Sequence, residues 1–89
     1  MKNVSNKNAG WSVEHCEAFK GSNTYGQHEH NGVYKAYSYG SHFPIYAFKE
    51  GRWYRNTDKY SPSTSKHQGQ LKPFASEFIG LDTAGMKAL

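Results

Sequence analysis

The sequence has little of what stabilises or anchors most small proteins. A single cysteine, Cys16, excludes an intramolecular disulfide. Three Leu, two Ile and three Val are too few aliphatic side chains to fill a core. No stretch approaches the ~20 apolar residues of a membrane span, and no basic start leads into an apolar run, so neither a spanning helix nor a signal peptide is expected. One thiol and no leader point to the reducing cytoplasm, that of the host cell if the chain is phage-encoded. No motif names a reaction, and neither a cofactor nor a metal is expected.

Rings are present in place of aliphatics. Seven Tyr, five Phe and two Trp occur among 89 residues. Each ring buries about 150 to 250 Å², so a few replace many smaller side chains. A chain of this length makes one small domain that buries about 60 to 65% of its unfolded surface, and a partner or homo-oligomer is one route to robustness. The formal charge is +4, with eleven Lys and Arg against seven acids. A cationic field favours nucleic acid or an acidic protein surface, and a charge of this size also serves solubility.

Residues 1–10 are polar and aperiodic, which predicts a disordered tail before a single domain over 11–89. The run Trp11 to Phe19 reads as an extended or one-turn segment that lays both rings on the core. Lys20 to Gly32 is turn-rich, with a short strand from Tyr25 to Glu29 and a hairpin turn at Asn31-Gly32. Val33 to Tyr39 is a strand with Val33, Lys35, Tyr37 and Tyr39 on one face and Tyr34, Ala36 and Ser38 on the other. A bulge or bend is expected at Gly40-Ser41, and Pro44 belongs at a strand start or on an edge.

Ile45 to Phe48 and Arg52 to Asn56 form a hairpin around a three-residue Lys49-Glu50-Gly51 loop. Alternation puts Ile45 and Ala47 on one face, and Tyr46 and Phe48 on the other. After a turn at 56–58, Lys59-Tyr60 extends the ladder by one bridge. Ser61-Pro62 then reads as an N-cap and N1 proline of a helix ending at Gly69 or Leu71. Asp82 caps a final turn that lays Leu81, Met86 and Leu89 on the sheet. The expected fold is α+β: a small antiparallel sheet of three to five strands with one or two short helices.

Four groups carry chemistry. A helix opened by Ser61 presents the backbone N–H groups of Ser63 and Thr64 beside Lys66, an arrangement suited to an anion and equally to ordinary capping. His67 near hydroxyls suggests a nucleophile and base, although catalysis also needs an orienting acid and an oxyanion hole. His28 and His30 stand two apart, as two metal ligands on one strand face would, but further ligands are not specified by the sequence. Arg52, Trp53, Tyr54, Arg55, Lys59 and Tyr60 interleave cations with rings, the pattern that stacks bases and follows phosphates, or that simply covers the edge of a core.

The segment from Val33 to Gln68, with Phe19 to Asn23, resembles an uncharacterised family of small bacteriophage and bacterial proteins. The resemblance rests on Tyr37 to Tyr46 (YSYGSHFPIY), on Trp53, Asn56 and Asp58 to Ser61 (W..N.DKYS), and on Thr64 to Gln68 (TSKHQ). It covers about half the chain, and Pro62 stands where the pattern has a β-branched residue. It implies a phage or mobile-element origin and carries no catalytic residues. The leading expectation is a non-enzymatic binding protein that engages nucleic acid or a nucleic-acid-handling host protein complex through Lys35, Arg52, Arg55, Lys59, Lys66 and His67. The alternatives are a protein-directed inhibitor of host defence, of anti-CRISPR or anti-restriction type, and a small hydrolase or nuclease using His67.

Overall fold

The computed structural model describes residues 2–5, 9–21, 23–29, 32–38, 43–58, 62–73, 75 and 77–89, without the side chains of residue 2 and residues 62–65. Ten elements follow in order: β1 (Lys2–Asn3), α1 (Ala9–Glu14), β2 (Phe19–Lys20), β3 (Thr24–His28), β4 (Tyr34–Ser38), β5 (Pro44–Lys49), β6 (Arg52–Asn56), α2 (Pro62–Leu71), β7 (Ile79–Leu81) and α3 (Thr83–Lys87). The fold is α+β, with a mixed, mostly antiparallel sheet whose strands lie in sequence order from β1 to β7. Strands β2 to β6 form an antiparallel meander, and each outermost strand pairs parallel with its neighbour. Those two parallel pairs require crossovers, which α1 and α2 supply.

The sheet exceeds the three to five strands expected because β1, β2 and β7 are two- or three-residue segments. None has room for a visible alternation. Nor is the start of the chain a disordered tail throughout: Lys2–Asn3 pair with Phe19–Lys20, and Ala9 is fully buried. The reading of Trp11 to Phe19 is half right. Phe19 enters the core, but 9–14 is helical and Trp11 is 54% exposed, stacked on His15 one turn later. Glu17 N–H bonds the Ser12 carbonyl and Cys16 N–H bonds that of Val13, with Cys16 at φ 50°. This is a Schellman ending with cysteine in the left-handed position that glycine usually takes.

Alternation along the central strands distributes the core. Toward α1 and α2 point Phe19, Tyr34, Ala36 and Tyr46, which pack with Ala9, Val13 and Leu71. Toward α3 point Val33 and Ala47, which pack with Met86, Tyr54, Leu81 and Leu89. The assignment of Val33 and of Tyr34 with Ala36 to opposite faces therefore holds. That of Ile45 does not: the β4–β5 register shifts between Ala36 and Tyr37, and Ile45 joins Tyr46 in the α1/α2-side core while Ala47 lies opposite. A β-bulge allows two successive side chains to share a face. The bulge expected at Gly40-Ser41 and the bridge at Lys59-Tyr60 fall outside the described residues.

Two glycines allow close approaches, one within the sheet and one between helices. A Cβ at Gly26 would land on the Tyr34 hydroxyl and, at 2.5 Å, on the Phe19 ring. At Gly10 it would meet the Gln70 carbonyl at 2.8 Å, so glycine lets α1 approach the end of α2. The β5–β6 turn is also tighter than expected. Lys49 pairs with Arg52, leaving only Glu50 and Gly51 in the loop, at φ 51° and 78°. Positive φ at both positions is the signature of a type I′ turn. Pro44 opens β5, Pro62 opens α2, α2 ends at Leu71, and Asp82 caps α3 by accepting from Gly85 N–H, all as the sequence predicts.

Candidate nucleic-acid interface

The net charge is concentrated in one stretch. Residues 49–72 carry six Lys and Arg against Glu50 and Asp58, while the rest of the chain carries five cations and five acids. One of those two acids is engaged: the Asp58 carboxylate accepts from Thr83 N–H at 2.9 Å. Its pKa is held low by that backbone bond and by the Thr83 hydroxyl.

β6 is held by Asn56, which is 2% exposed. Its amide donates to the Pro44 carbonyl (2.8 Å) and to Thr83 Oγ1 (3.0 Å), and its Oδ1 accepts from Asp58 N–H (2.8 Å). The Asn56 carbonyl in turn accepts from Gln68 Nε2 at 2.8 Å. One asparagine thus joins β5, α2 and α3 to β6 and fixes which way Arg55, its neighbour, points. Sequence reasoning read it as the end of a strand leading into a turn and missed it.

On the α2 side, Arg55, Tyr46, Gln68, Gly69, Lys72 and Phe78 line a depression of about 150 Å³. Tyr46 donates its hydroxyl to the Gln68 carbonyl (2.7 Å) and packs on Phe78 with ring centroids 5.7 Å apart. Burial pushes the Tyr46 phenol up to about 12, with the Arg55 guanidinium pulling the other way, so it is a neutral donor at pH 7. The Lys72 ammonium lies 6.0 Å over the Phe78 ring. Among the described residues no acid lines this depression, and neither Arg55 nor Lys72 has an ion pair. Two cations lining one depression with two rings can hold a phosphate and the flat faces beside it.

A second, larger depression of about 570 Å³ lies between the β5–β6 turn and the segment entering β7, lined by Gly51, Arg52, Trp53, Ala75, Glu77 and Ile79. Trp53 is half-buried and contacts Phe48 at 5.0 Å.

The structure separates the expected site residues: Arg52 and Arg55 alternate to opposite faces of β6 and border different depressions. Arg52 and Arg55 are exposed and line the two depressions, and Lys66 is exposed on α2. Lys35 is not available to a polyanion: it is 6% exposed, on the α3 side of the sheet, and its ammonium donates to the Lys87 carbonyl at the end of α3 (3.4 Å). His67 is 5% exposed and hydrogen-bonded through Nδ1 to Ser38 Oγ at 2.8 Å. Its expected hydroxyl partner thus comes from β4 instead of its own helix. Ser38 is fully buried, so the pair clips α2 to the sheet and offers no surface to a substrate. Burial, with Lys66 adding to it, lowers the His67 pKa and keeps the ring neutral. Lys59 and Ser61 lie outside the described residues, as do the side chains of Ser63 and Thr64.

His28 bonds the Cys16 carbonyl through Nε2 (2.7 Å) and meets Tyr34 edge-on. No cluster of three or more metal-ligating side chains occurs among the described residues, to which His30 and His42 do not belong. No described helix is long and apolar enough to cross a membrane. Lys72, Phe78 and Glu77 line the two depressions and were not singled out by sequence reasoning. Each stands in a segment without periodicity and is brought to β6 only by the α2 crossover. Compared with protein-family models, with curated proteins and with solved structures, the chain matches none.

Proposed function

We propose that this chain is a non-enzymatic binding protein, of the phage type its sequence resembles, that holds single-stranded nucleic acid across β6 and the end of α2. The observation that carries the reading is the depression that Arg55 and Lys72 line together with Tyr46 and Phe78, with no acid in its lining among the described residues. Phosphates pair with the two cations, and the adjoining rings, Phe78 and Trp53, supply faces to unstacked bases. Single strands suit the site better than duplex because the rings reach a base only when it is free of its partner. Arg52, at the second depression, and Lys66, on α2, add two exposed cations.

The test is fluorescence anisotropy of a labelled single-stranded octamer against the intact chain. Arg55→Ala with Lys72→Ala should weaken binding at least about tenfold at low salt and reduce the dependence of log K on log[salt] by about 1.4, two contacts at ~0.7 each. Lys20→Ala with Lys87→Ala, which removes the same charge elsewhere, should change affinity far less. Equal losses in the two pairs would reduce the effect to net charge and remove the site.

A second reading is favoured by Trp11, which is 54% exposed and stacked on His15 with centroids 4.1 Å apart. A large exposed ring is a common protein-contact anchor. On this reading the chain blocks a nucleic-acid-handling host defence complex. Capture of one such complex that Trp11→Ala abolishes, with oligonucleotide affinity unchanged, would support it.

A further inference from the structure

The 570 Å³ depression at the β5–β6 turn has the chemistry of a base pocket, and we infer that it binds an unpaired guanine. The inference rests on the single-strand reading above and deepens it. The volume lies within the ~300 to 1,000 Å³ of small-ligand sites and accepts a purine with part of its sugar. Its wall includes one large ring, Trp53, half-buried and already steadied by Phe48, so stacking a base on it orders little further.

The two charged side chains of the lining select the base. Glu77, in the segment entering β7, and Arg52, at the start of β6, both border the depression and form no ion pair with each other. A carboxylate only accepts, and it accepts best from two adjacent donors. Guanine alone among the standard bases displays two, N1–H and the N2 amino group, side by side on its pairing edge. Adenine and cytosine set a single amino group beside a ring nitrogen that repels the carboxylate, and uracil and thymine offer one N–H between two carbonyls. The guanidinium is matched to the other edge, where guanine O6 and N7 accept a bidentate arginine. Trp53 and Arg55 are two residues apart on one strand face, a separation of about 6.7 Å. That distance suits a base in this pocket and a neighbouring phosphate at Arg55.

The test uses the intact chain carrying Trp11→Phe, so that Trp53 is its sole tryptophan. Two octamers are titrated in while Trp53 emission is followed: all thymidine, and the same with one central guanine. The single guanine should tighten binding about tenfold and quench Trp53. Glu77→Gln should abolish that preference, the two octamers then binding within about twofold of each other. Equal affinity of the two octamers would overturn the guanine pocket and leave the single-strand reading standing. Binding of neither would overturn both. A guanine preference that survives Glu77→Gln would remove the carboxylate from recognition and with it the inference.

Discussion

Two residues carry more of the architecture than their neighbours. Asn56 makes or receives four hydrogen bonds across three elements from a nearly water-free position. Asn56→Ala strands several of their partners, and the expected loss is about 2 to 4 kcal/mol by urea denaturation. At Gly26 the Phe19 ring lies where a methyl group would go, and Phe19 is fully buried with no room to retreat. Gly26→Ala should therefore destabilise the fold by about 1 to 3 kcal/mol through overpacking. Glu50 is the opposite case: an exposed acid held at φ 51° beside Gly51 in a turn that favours Asn-Gly. Glu50→Asn should stabilise the hairpin by about 0.5 to 1 kcal/mol, seen as a higher denaturation midpoint with unchanged slope.

At the scale of elements, legibility followed the presence of local signals. The β3–β4 and β5–β6 hairpins are marked by Gly32 and by Glu50-Gly51, and α2 and α3 by Pro62 and Asp82, so these elements could be read from neighbouring residues alone. Strands β1 and β7 pair parallel across helical crossovers, and no turn residue announces such a pairing. The bulge at Ile45 escaped for a related reason: an alternating pattern cannot show where one residue is inserted. In the candidate site, Arg52 and Arg55 were visible because β6 interleaves them with rings. Lys72 and Glu77 were not, because only the path of α2 carries them there. The same limit hid Ser38 as the partner of His67.

That Ser38–His67 clip makes the α2 packing sensitive to pH. The folded His67 pKa lies below that of a free imidazole, so the unfolded chain takes up a proton first as pH falls. Its contribution is complete above about pH 6.5 and declines as pH drops toward the lowered folded value. His67→Gln should flatten the stability profile between about pH 7 and 5. Asp58 acts in a separate, lower window. Its depressed pKa gives stability that is present above the ordinary carboxylate range and lost as pH falls through the folded value.

For the molecule as a whole, the central feature is where opposite demands are met. A chain with few aliphatics places rings on both faces of one sheet, covers one face with α1 and α2, and covers the β5–β7 part of the other with α3. The phenols of Tyr34, Tyr37 and Tyr46 all titrate above their ordinary value, chiefly through burial. Stability should therefore be lost as pH rises above about 10, where the unfolded chain releases these protons first. The net charge is gathered in residues 49–72, and two of its cations, Arg55 and Lys72, border a depression with the rings of Tyr46 and Phe78. That coincidence of charge and accessible rings is the basis of the proposed interface.

The most direct measurement is the amide ¹H–¹⁵N spectrum of the intact chain during titration with a single-stranded octamer. The account predicts the largest shifts at Trp53 to Arg55, Gln68 to Lys72 and Glu77 to Ile79, with β2 and β3 almost unmoved. Shifts centred on Thr24 to His28, or none at concentrations where the octamer is bound, would contradict it.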